Sequence, residues 1–420
     1  MRRTLDVYLH RHLIGKLVQD DHGQMVFSYV ESWLNDPAAI PLSQSLPLSK
    51  KRFDRNGCRG FFAGILPDEN QREIIARNLG ISARNDFAML ERIGGECAGA
   101  VTFIPEGMRL SEPDHAYRQL TPAELADIIR QLPKRPLLAG EEGVRLSLAG
   151  AQDKIALHIA DDQISIPLNG APSTHILKPA IERFKGLVFN EALCMRLAEA
   201  VGLNVAKVEI GKVEGIDYLL VQRYDRAFDA VSPGSPAKMK RLHQEDFCQA
   251  LGEAPERKYQ NEGGPSIQQC FELLRAVSST PVIDLQALLD AVIFNWLIGN
   301  QDAHAKNFSL LYRGEIWSSL QTRLAPLYDL ICTVYYPELS PKLAMKIGGD
   351  YVSERVGPAN FERMAEEAGL AKPITKQRVK KVAESVISKL PAVSSEHPVA
   401  LGVAKAIRSR SELCLKRFAR

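Results

Sequence analysis

Apolar and polar residues alternate near the start of the chain and take up other spacings further on. Leu5, Val7 and Leu9 alternate with polar residues, and 25–29 repeats the pattern, which predicts strands of a small antiparallel sheet. Helical spacing follows at 61–66, 70–79 and 86–92, and the apolar segment 101–105 is typical of a closing strand. The polar stretch 106–117 then predicts a boundary.

The region from about 144 to 225 favours strands with one helix among them. Phe189, Leu193, Leu197 and Val201 recur at every fourth position, which predicts an amphipathic helix ending near Gly202. A stretch rich in Pro, Ser and Gly at 231–237 predicts a loop or a junction between lobes. The predicted strands are 155–159, 164–167, 174–178, 205–210 and 218–224.

The last part of the chain is predicted to be mostly helical. Seven apolar residues share one helical face between Leu285 and Leu297, and Gly299 follows as a C-terminal cap. A β-rich middle followed by a helical lobe indicates an α+β protein with two lobes. Further helices are predicted at 360–368, 376–389 and 399–418, and the pattern divides the chain into 1–110, 111–230 and 231–420.

Composition narrows the class of protein. With 420 residues, 45% of them hydrophobic and 25% charged, the chain is typical of a globular protein larger than one compact core. A net charge of +3 gives no support for independent nucleic-acid binding. Seven scattered cysteines without a C-x-x-C pair favour buried thiols, and no H-E-x-x-H spacing supports a metalloprotease. Because no signal peptide or uninterrupted membrane-length apolar run is found, we expect a cytoplasmic protein.

Candidate catalytic residues directly follow the strongest predicted helix. Asp302 and Asn307 stand five residues apart in the segment DAHAKN at 302–307. In a kinase catalytic loop, an Asp accepts the proton of the acceptor hydroxyl and an Asn five residues later binds magnesium. The same residue types are common in caps and turns, so the spacing alone leaves both interpretations open.

Two further segments have a charged residue in or after an apolar run. Asp329 interrupts such a run, and a buried carboxylate there requires a cation or a hydrogen-bonding partner. Together with Asn307 it is a candidate magnesium ligand, although a turn role is equally open. Lys178 ends an apolar strand and is a candidate for neutralising nucleotide phosphates, with Glu191 as its ion-pair partner. Simple exposure of both side chains to solvent is the alternative.

Two other segments are candidates for nucleotide contacts. The segment SLAGAQDK at 147–154 contains small residues that let backbone amides approach an anion closely. It matches neither a Walker A motif nor G-x-G-x-x-G, so a β-turn is the alternative. At 219–226 an apolar strand runs into polar residues, where backbone groups are suited to bind adenine and Tyr224 to pack on its face. An ordinary buried strand explains the apolar part equally well.

Taken in order, these segments resemble the HipA family of toxin kinases. The resemblance extends from the first fifty residues to residue 329 and so covers most of the chain. Each motif is modest, but the ordered set is highly specific. The matching segments are LPL at 46–48, FAGILPD at 62–68, GAV at 99–101, SLAGAQDK at 147–154, HILKP at 175–179, NE at 190–191, RYDR at 223–226, HQED at 243–246, DAHAKN at 302–307 and YD at 328–329.

The resemblance implies a protein-kinase-like fold of the PI3/4-kinase type with two lobes. It consists of a small α/β N-terminal subdomain, a β-rich ATP-binding part and a mostly helical C-terminal lobe. Asp302 is implied as the general base, Asn307 and Asp329 as the magnesium ligands, and Ser147 as an autophosphorylated serine whose modification switches the kinase off. The implied cofactors are ATP and Mg²⁺. The implied cofactor-binding residues are Ala149, Gly150, Ala151, Gln152, Asp153, Lys154, Lys178, Gln222, Tyr224, His304, Asn307 and Asp329, with Glu191 in support.

The resemblance also implies partners. Family targets are proteins, in known members aminoacyl-tRNA synthetases, whose phosphorylation on serine or threonine blocks tRNA charging and arrests growth. A HipB-like helix-turn-helix antitoxin neutralises the toxin and contacts operator DNA in a co-repressing complex. No helix-turn-helix is evident here, so DNA specificity is expected from that partner, and no membrane partner is expected. The basic run 376–381 is interpreted as a solvated helix face rather than a phosphate contact.

Three departures from the family pattern are mild. Asp153 stands where members often have Glu, Gln222 occupies an adenine-contact position where a Glu is known, and the chain is slightly short. Two alternative functions are compatible with most of these assignments. One is a small-molecule or lipid kinase with the same fold, and the other is a non-enzymatic ATP-binding co-repressor.

Overall fold

The structure, a computed structural model, describes residues 2–108, 110, 116–228, 239–314 and 319–419. The strands are β1 Arg3–Leu9, β2 His12–Gln19, β3 Met25–Tyr29, β4 Arg52–Phe53, β5 Val101–Pro105, β6 Tyr117–Gln119, β7 Ile155–Ala160, β8 Gln163–Pro167, β9 His175–Pro179, β10 Val208–Val213, β11 Ile216–Gln222, β12 Arg226–Phe228, β13 Met239–Arg241, β14 Gln244–Asp246, β15 Ser309–Arg313, β16 Gln321–Leu324, β17 Lys342–Ile347 and β18 Asp350–Val352. The helices are α1 Glu31–Leu34, α2 Arg55–Gly64, α3 Glu69–Leu79, α4 Asp86–Ile93, α5 Pro122–Gln131, α6 Leu187–Ala200, α7 Phe247–Leu251, α8 Ile267–Val277, α9 Pro281–Ile298, α10 Pro358–Glu367, α11 Lys372–Val393 and α12 Pro398–Ala419.

The chain divides into two compact units, each built from three separate segments. Unit 1 consists of Met1–Pro179, Gly211–Glu256 and Leu311–Gln321. Unit 2 consists of Ala180–Ile210, Arg257–Leu310 and Thr322–Arg420. The predicted loop at 231–237 lies outside the described residues.

The first sheet of unit 1 is antiparallel and has the strand order β4-β3-β2-β1-β5. Its pairing brings Phe103 of the closing strand next to Val7. The apolar face is buried, with Phe27, Phe62 and Phe103 among the core residues. The strands predicted at 5–9, 25–29 and 101–105 are confirmed.

The second sheet of unit 1 has the order β10-β11-β9-β7-β8-β6. Four of its predicted strands are confirmed within about two residues, but the strand predicted at 205–210 is displaced to Val208–Val213. The reason is that Val205 forms an isolated parallel bridge with Leu327, and the amide of Ala206 donates to the Leu327 carbonyl at 2.9 Å. The apolar residues at 205–206 thus take part in a long-range contact within unit 2.

The helices of unit 2 follow their apolar periodicity. Helix α9 ends at Gly299, whose φ of 74° is the left-handed conformation of a C-terminal cap. By length and composition α9 alone among the described helices could span a membrane, but 67% of it is buried, as in a core helix. The predicted helices at 189–202, 360–368, 376–389 and 399–418 are confirmed as α6, α10, α11 and α12.

Four of the described helices, α1, α5, α7 and α8, were not predicted, although the two longest of them have start signals in the sequence. Helix α5 begins with a capping box in which Thr121 and Glu124 bond each other's backbone amides. Helix α8 begins in the same way with Ser266 and Gln269. The prediction of buried thiols is confirmed, since all seven cysteines are buried and free.

Candidate active site

Asp302 lies in a loop of unit 2 that follows the Gly299 cap of helix α9. The loop is fixed beneath Asp302, because the amide of Gln301 donates to Thr333 Oγ1 at 2.8 Å and this hydroxyl donates to the Gly299 carbonyl at 2.9 Å. The Asp302 carbonyl accepts from the amide of His304 at 2.8 Å and from Asn307 Nδ2 at 3.1 Å. The Asp302 side chain is exposed. A rigid loop thus presents a solvent-accessible carboxylate, as proton transfer to a bound alcohol requires.

Asp329 is joined to the same loop by one amide side chain. Asn300 accepts from the Asp302 amide at 3.2 Å through Oδ1, and its Nδ2 donates to the Asp329 carbonyl at 3.3 Å. The same Nδ2 also donates to Asn295 Oδ1 at 2.8 Å, which fixes the amide against helix α9. Hydrogen bonds within unit 2 therefore link the segments that carry Asp302, Asn307 and Asp329.

A second link runs through Tyr328. Its hydroxyl donates to the Lys306 carbonyl at 2.8 Å and lies 2.7 Å from Ser309 Oγ. Asp329 itself has a φ of 54°, a left-handed conformation that strains residues other than Gly, although Asn and Asp tolerate it better than the rest. Such strain persists only where the surroundings impose it and is frequent at ligand-binding positions.

The side chains of Asn307 and Asp329 fit a magnesium ion chemically. The Asn307 amide nitrogen is engaged by the Asp302 carbonyl, which leaves the oxygen end of this amide for a cation. Asp329 is half-buried and contributes a carboxylate. Magnesium prefers oxygen ligands and is usually bound by one or two such side chains together with phosphate oxygens and water. Across the described ranges, no group of three or more His, Cys, Asp and Glu suited to a metal occurs.

The loop 147–154 belongs to unit 1 and is held by the segment before helix α3. Ser147 is fully buried, and its Oγ donates to the Ile65 carbonyl at 3.0 Å. Gly150 has a φ of 101°, and its carbonyl accepts from the Asp68 amide at 3.3 Å. This φ is strained for a residue with a Cβ, so the loop requires glycine at position 150 for its conformation.

The end of this loop is also held by side chains. Lys154 Nζ donates to the Ala149 carbonyl at 2.6 Å. The Asp153 carboxylate accepts from Gln71 Nε2 at 2.5 Å, and burial raises its pKa. The loop is therefore an ordered structure with several anchors, which is more than the simple β-turn of the alternative interpretation.

Three neighbouring strands of unit 1 bring its remaining candidates together. Strand β7 starts directly after the loop and pairs with β9, which carries Lys178, and β9 pairs with β11, which ends at Gln222. In this register Lys178 lies opposite Leu219, and its side chain is 5% exposed. Gln222 is exposed, and Tyr224 donates a hydrogen bond from its hydroxyl to Gln244 Oε1.

A buried charge cluster flanks Tyr224. Glu96 Oε1 accepts from Arg226 Nη2 at 2.6 Å and from Arg223 Nη1 at 3.1 Å. Asp225 accepts from Arg223 at 2.8 Å and from the Gly99 amide at 2.7 Å. Burial alone would raise the pKa of Glu96, but the surrounding guanidinium groups outweigh it and lower this pKa to about 2. Arg223 and Asp225, on either side of Tyr224, are thus ionised and are held by hydrogen bonds to Glu96 and Gly99.

Several of these residues were not identified from the sequence. Asn300 stands two positions before Asp302, but nothing in the sequence distinguished its linking role from an ordinary cap. Glu96 lacked a signal because its arginine partners are more than 120 residues away. The predicted Lys178–Glu191 ion pair stays a prediction, because Lys178 belongs to unit 1 and Glu191 to unit 2.

Known proteins with similar sequences are named as kinases. The Y4mE protein of Sinorhizobium fredii, named as a kinase, is 47% identical over 387 residues, which cover 91% of this chain and 90% of that protein. The serine/threonine-protein kinase toxin HipA of Shewanella oneidensis is 29% identical and matches 91% of this chain and 87% of its own. These similarities place the chain in the kinase class.

Two family models together match most of the chain. Residues 5–104 match the HipA N-terminal domain, and residues 146–393 match the HipA-like C-terminal domain. The mixed helix and sheet fold is similar to a solved Shewanella oneidensis complex of HipA, HipB and operator DNA, with a TM-score of 0.85 and 27% identity over 99% of this chain and 98% of that one. This chain belongs to the HipA family.

Proposed function

We propose that the chain is an ATP- and Mg²⁺-dependent serine/threonine-protein kinase that acts as a growth-arresting toxin. The fold is then the two-lobed PI3/4-kinase type. The observation that carries this proposal is the hydrogen-bonded group of unit 2, in which Asn300 joins the Asp302 loop to Asp329. A turn role for these residues would not require a side-chain amide that bonds both segments.

In the proposed reaction the residues of unit 2 act on the acceptor and on the metal. A serine or threonine hydroxyl gives its proton to Asp302 as its oxygen attacks the γ-phosphorus, and ADP leaves. Asn307 and Asp329 would hold magnesium, which would neutralise charge on the transferred phosphate. Phosphoryl transfer depends mainly on positioning and electrostatics, so the rigidity of this loop is expected to contribute much of the rate.

The residues of unit 1 are proposed to bind the nucleotide. Lys178 neutralises phosphate charge, the backbone of 149–154 contacts the phosphates, and Gln222 and Tyr224 contact adenine. The fixed strand register supports these roles, because strands β7, β9 and β11 are adjacent. The loop 149–154 leads into β7, Lys178 lies on β9, and Gln222 ends β11. His304 of unit 2 is proposed as a further nucleotide contact, and Glu191 as a support for Lys178.

Ser147 is proposed as the autophosphorylation site. Its hydroxyl is buried against the Ile65 carbonyl, so the loop must leave this position before the serine can react. A phosphoserine would not fit the same buried position, because the dianionic group requires solvent or cationic partners. Phosphorylation would therefore keep the loop displaced and switch nucleotide binding off.

The proposed partners follow from the relatives. The similar Shewanella complex contains HipB and operator DNA, which supports a HipB-like antitoxin and co-repression for this chain. An aminoacyl-tRNA synthetase is the proposed target class. A small-molecule or lipid kinase and a non-enzymatic co-repressor remain the alternatives that the experiment must separate.

The test is phosphoryl incorporation measured by intact mass. Purified protein is incubated with Mg-ATP, and the wild type is compared with Asp302→Ala, Ser147→Ala and the surface control Asp127→Ala. We expect one added phosphoryl group in the wild type and in the control, and none in the other two variants. If Asp302→Ala is phosphorylated as fast as the wild type, the assignment of the base is wrong. Growth arrest that survives Asp302→Ala in cells would favour the non-enzymatic alternative.

A further inference from the structure

One side chain outside the predicted site contacts the proposed base directly. Tyr259 Oη donates a hydrogen bond to Asp302 Oδ1 at 2.8 Å, and both residues belong to unit 2. They are 43 positions apart in the chain, so the contact depends on the tertiary structure. The hydrogen bond lies at an exposed position, where a side chain without a partner would take up several rotamers.

The backbone of Tyr259 is fixed by a tight turn. Its carbonyl accepts from the amides of Glu262 at 3.0 Å and Gly264 at 2.9 Å. A Cβ at Gly264 would lie 2.2 Å from the Arg257 carbonyl oxygen, so only glycine fits the turn at this position. The neighbouring Gln260 side chain accepts from the Lys346 amide at 2.9 Å. The segment that carries the tyrosine is therefore held by contacts other than the hydrogen bond to Asp302.

The aromatic ring is also confined. It meets the His304 ring edge-on, with 5.5 Å between centroids, and the Lys258 ammonium lies 5.3 Å from the Tyr259 ring centre. Both contacts are favourable for an aromatic ring. The hydroxyl thus has a defined direction towards Asp302 that does not depend on the hydrogen bond alone.

We propose that Tyr259 is a positioning residue for the base in the phosphoryl transfer. This inference rests on the proposed function. A carboxylate has two oxygens, and because the tyrosine occupies Oδ1, the carboxylate is held with Oδ2 towards the acceptor hydroxyl. Tyr259 acts only through Asp302 and exchanges no proton with the substrate. Loss of its hydroxyl leaves the base in place but lets the exposed carboxylate rotate away from the productive orientation.

The test follows a single turnover of ADP formation from Mg-ATP, the autophosphorylation proposed for Ser147, at several ATP concentrations in wild type and Tyr259→Phe. Here kcat is the limiting rate of that turnover, and KM is the ATP concentration that gives half of it. Misorientation of a reacting group lowers the rate without weakening nucleotide binding, so we expect kcat to fall about tenfold while KM for ATP stays within about twofold. The matched control is Tyr336→Phe, which removes another hydroxyl of unit 2, one that donates to the Lys185 carbonyl at 3.3 Å. This control is expected to leave both constants unchanged.

A double-mutant cycle separates positioning from a general structural effect. If Tyr259 acts through the carboxylate, Tyr259→Phe should change the residual rate of Asp302→Asn by less than about twofold. An equal tenfold loss in both backgrounds would overturn the inference, as would a Tyr259→Phe enzyme as fast as the wild type. A wild type that forms no ADP would instead overturn the proposed function, and the positioning role with it.

Discussion

Neutralising Glu96 by Glu96→Gln is expected to destabilise unit 1 strongly. The carboxylate is 1% exposed and accepts hydrogen bonds from Arg226 at 2.6 Å, from Arg223 at 3.1 Å and from Ser173 Oγ at 2.9 Å. A glutamine keeps one acceptor oxygen but removes the negative charge and turns an NH₂ group towards buried cations. Arg223 and Arg226 then share Asp225 as their remaining anionic partner in this cluster. Arg241, whose Nε lies 3.5 Å from Glu96 Oε2, loses this carboxylate as a partner.

The expected loss follows from the burial of the pair. Removing one partner of a buried ion pair costs about 3–5 kcal/mol, because an uncompensated charge remains in the interior. Asp225 compensates part of the charge, so we expect a value of about 3 kcal/mol, at the lower end of this range. The pKa of Glu96, lowered to about 2, agrees in sign, because the carboxylate is stabilised by its partners in the folded state.

The assay is equilibrium urea unfolding followed by circular dichroism at pH 7. The matched control is Glu214→Gln, which removes the same charge from the Arg130–Glu214 pair, where the side chains are 49% and 44% exposed. Exposed pairs contribute less than about 1 kcal/mol, so this control should unfold close to the wild type. If Glu96→Gln costs no more than the control, the cluster does not hold the segment around Tyr224 and the reasoning fails.

Three further predictions concern buried or strained positions. Burial raises the pKa of Glu245 from 4.5 to about 7, although hydrogen bonds from Ser43 and Tyr312 act to lower it. Because folding favours the protonated carboxyl group, the contribution of Glu245 to stability is present below pH 4.5 and is lost as the pH rises to about 7. Glu245→Gln should therefore reduce the loss of stability over this pH range by up to roughly 3 kcal/mol. Urea unfolding at several pH values would measure this difference. Asp329→Gly should be more stable than Asp329→Ala by about 1 kcal/mol in thermal unfolding, since glycine adopts positive φ freely, while both variants lose ADP formation. Gly60→Ala should destabilise the fold by about 2 kcal/mol in the same assay, because a Cβ there would lie 2.4 Å from the Gly252 carbonyl.

Local signals in the sequence predicted much of the fold. The long helix before Asp302 and its Gly299 cap were recognisable because apolar spacing and a left-handed cap are properties of a few consecutive residues. The same holds for the strands that carry Lys178 and Gln222. The strand predicted at 205–210 was displaced because Val205 forms a β-bridge with Leu327, which is far away in the sequence and which no local pattern indicates.

The candidate site was predictable only where its residues are close in the sequence. Asp302 and Asn307 form a short motif, and the Asn307 amide bonds the Asp302 backbone as such a motif suggests. Tyr259 and Glu96 act through partners far along the chain, so their roles depend on tertiary contacts. Their residue types, a tyrosine and a glutamate, are common on surfaces and give no warning of such roles.

The Asn300 amide has a mechanical consequence. Because one planar group bonds the Asp302 amide and the Asp329 carbonyl, the separation of these two segments is limited by the dimensions of a single side chain. Any motion that displaces one segment carries the other with it. An aspartate at this position would lack the donor, and a serine would be too short to reach both partners. The proposed proton acceptor, Asp302, and the proposed metal ligand, Asp329, are therefore held at a fixed spacing.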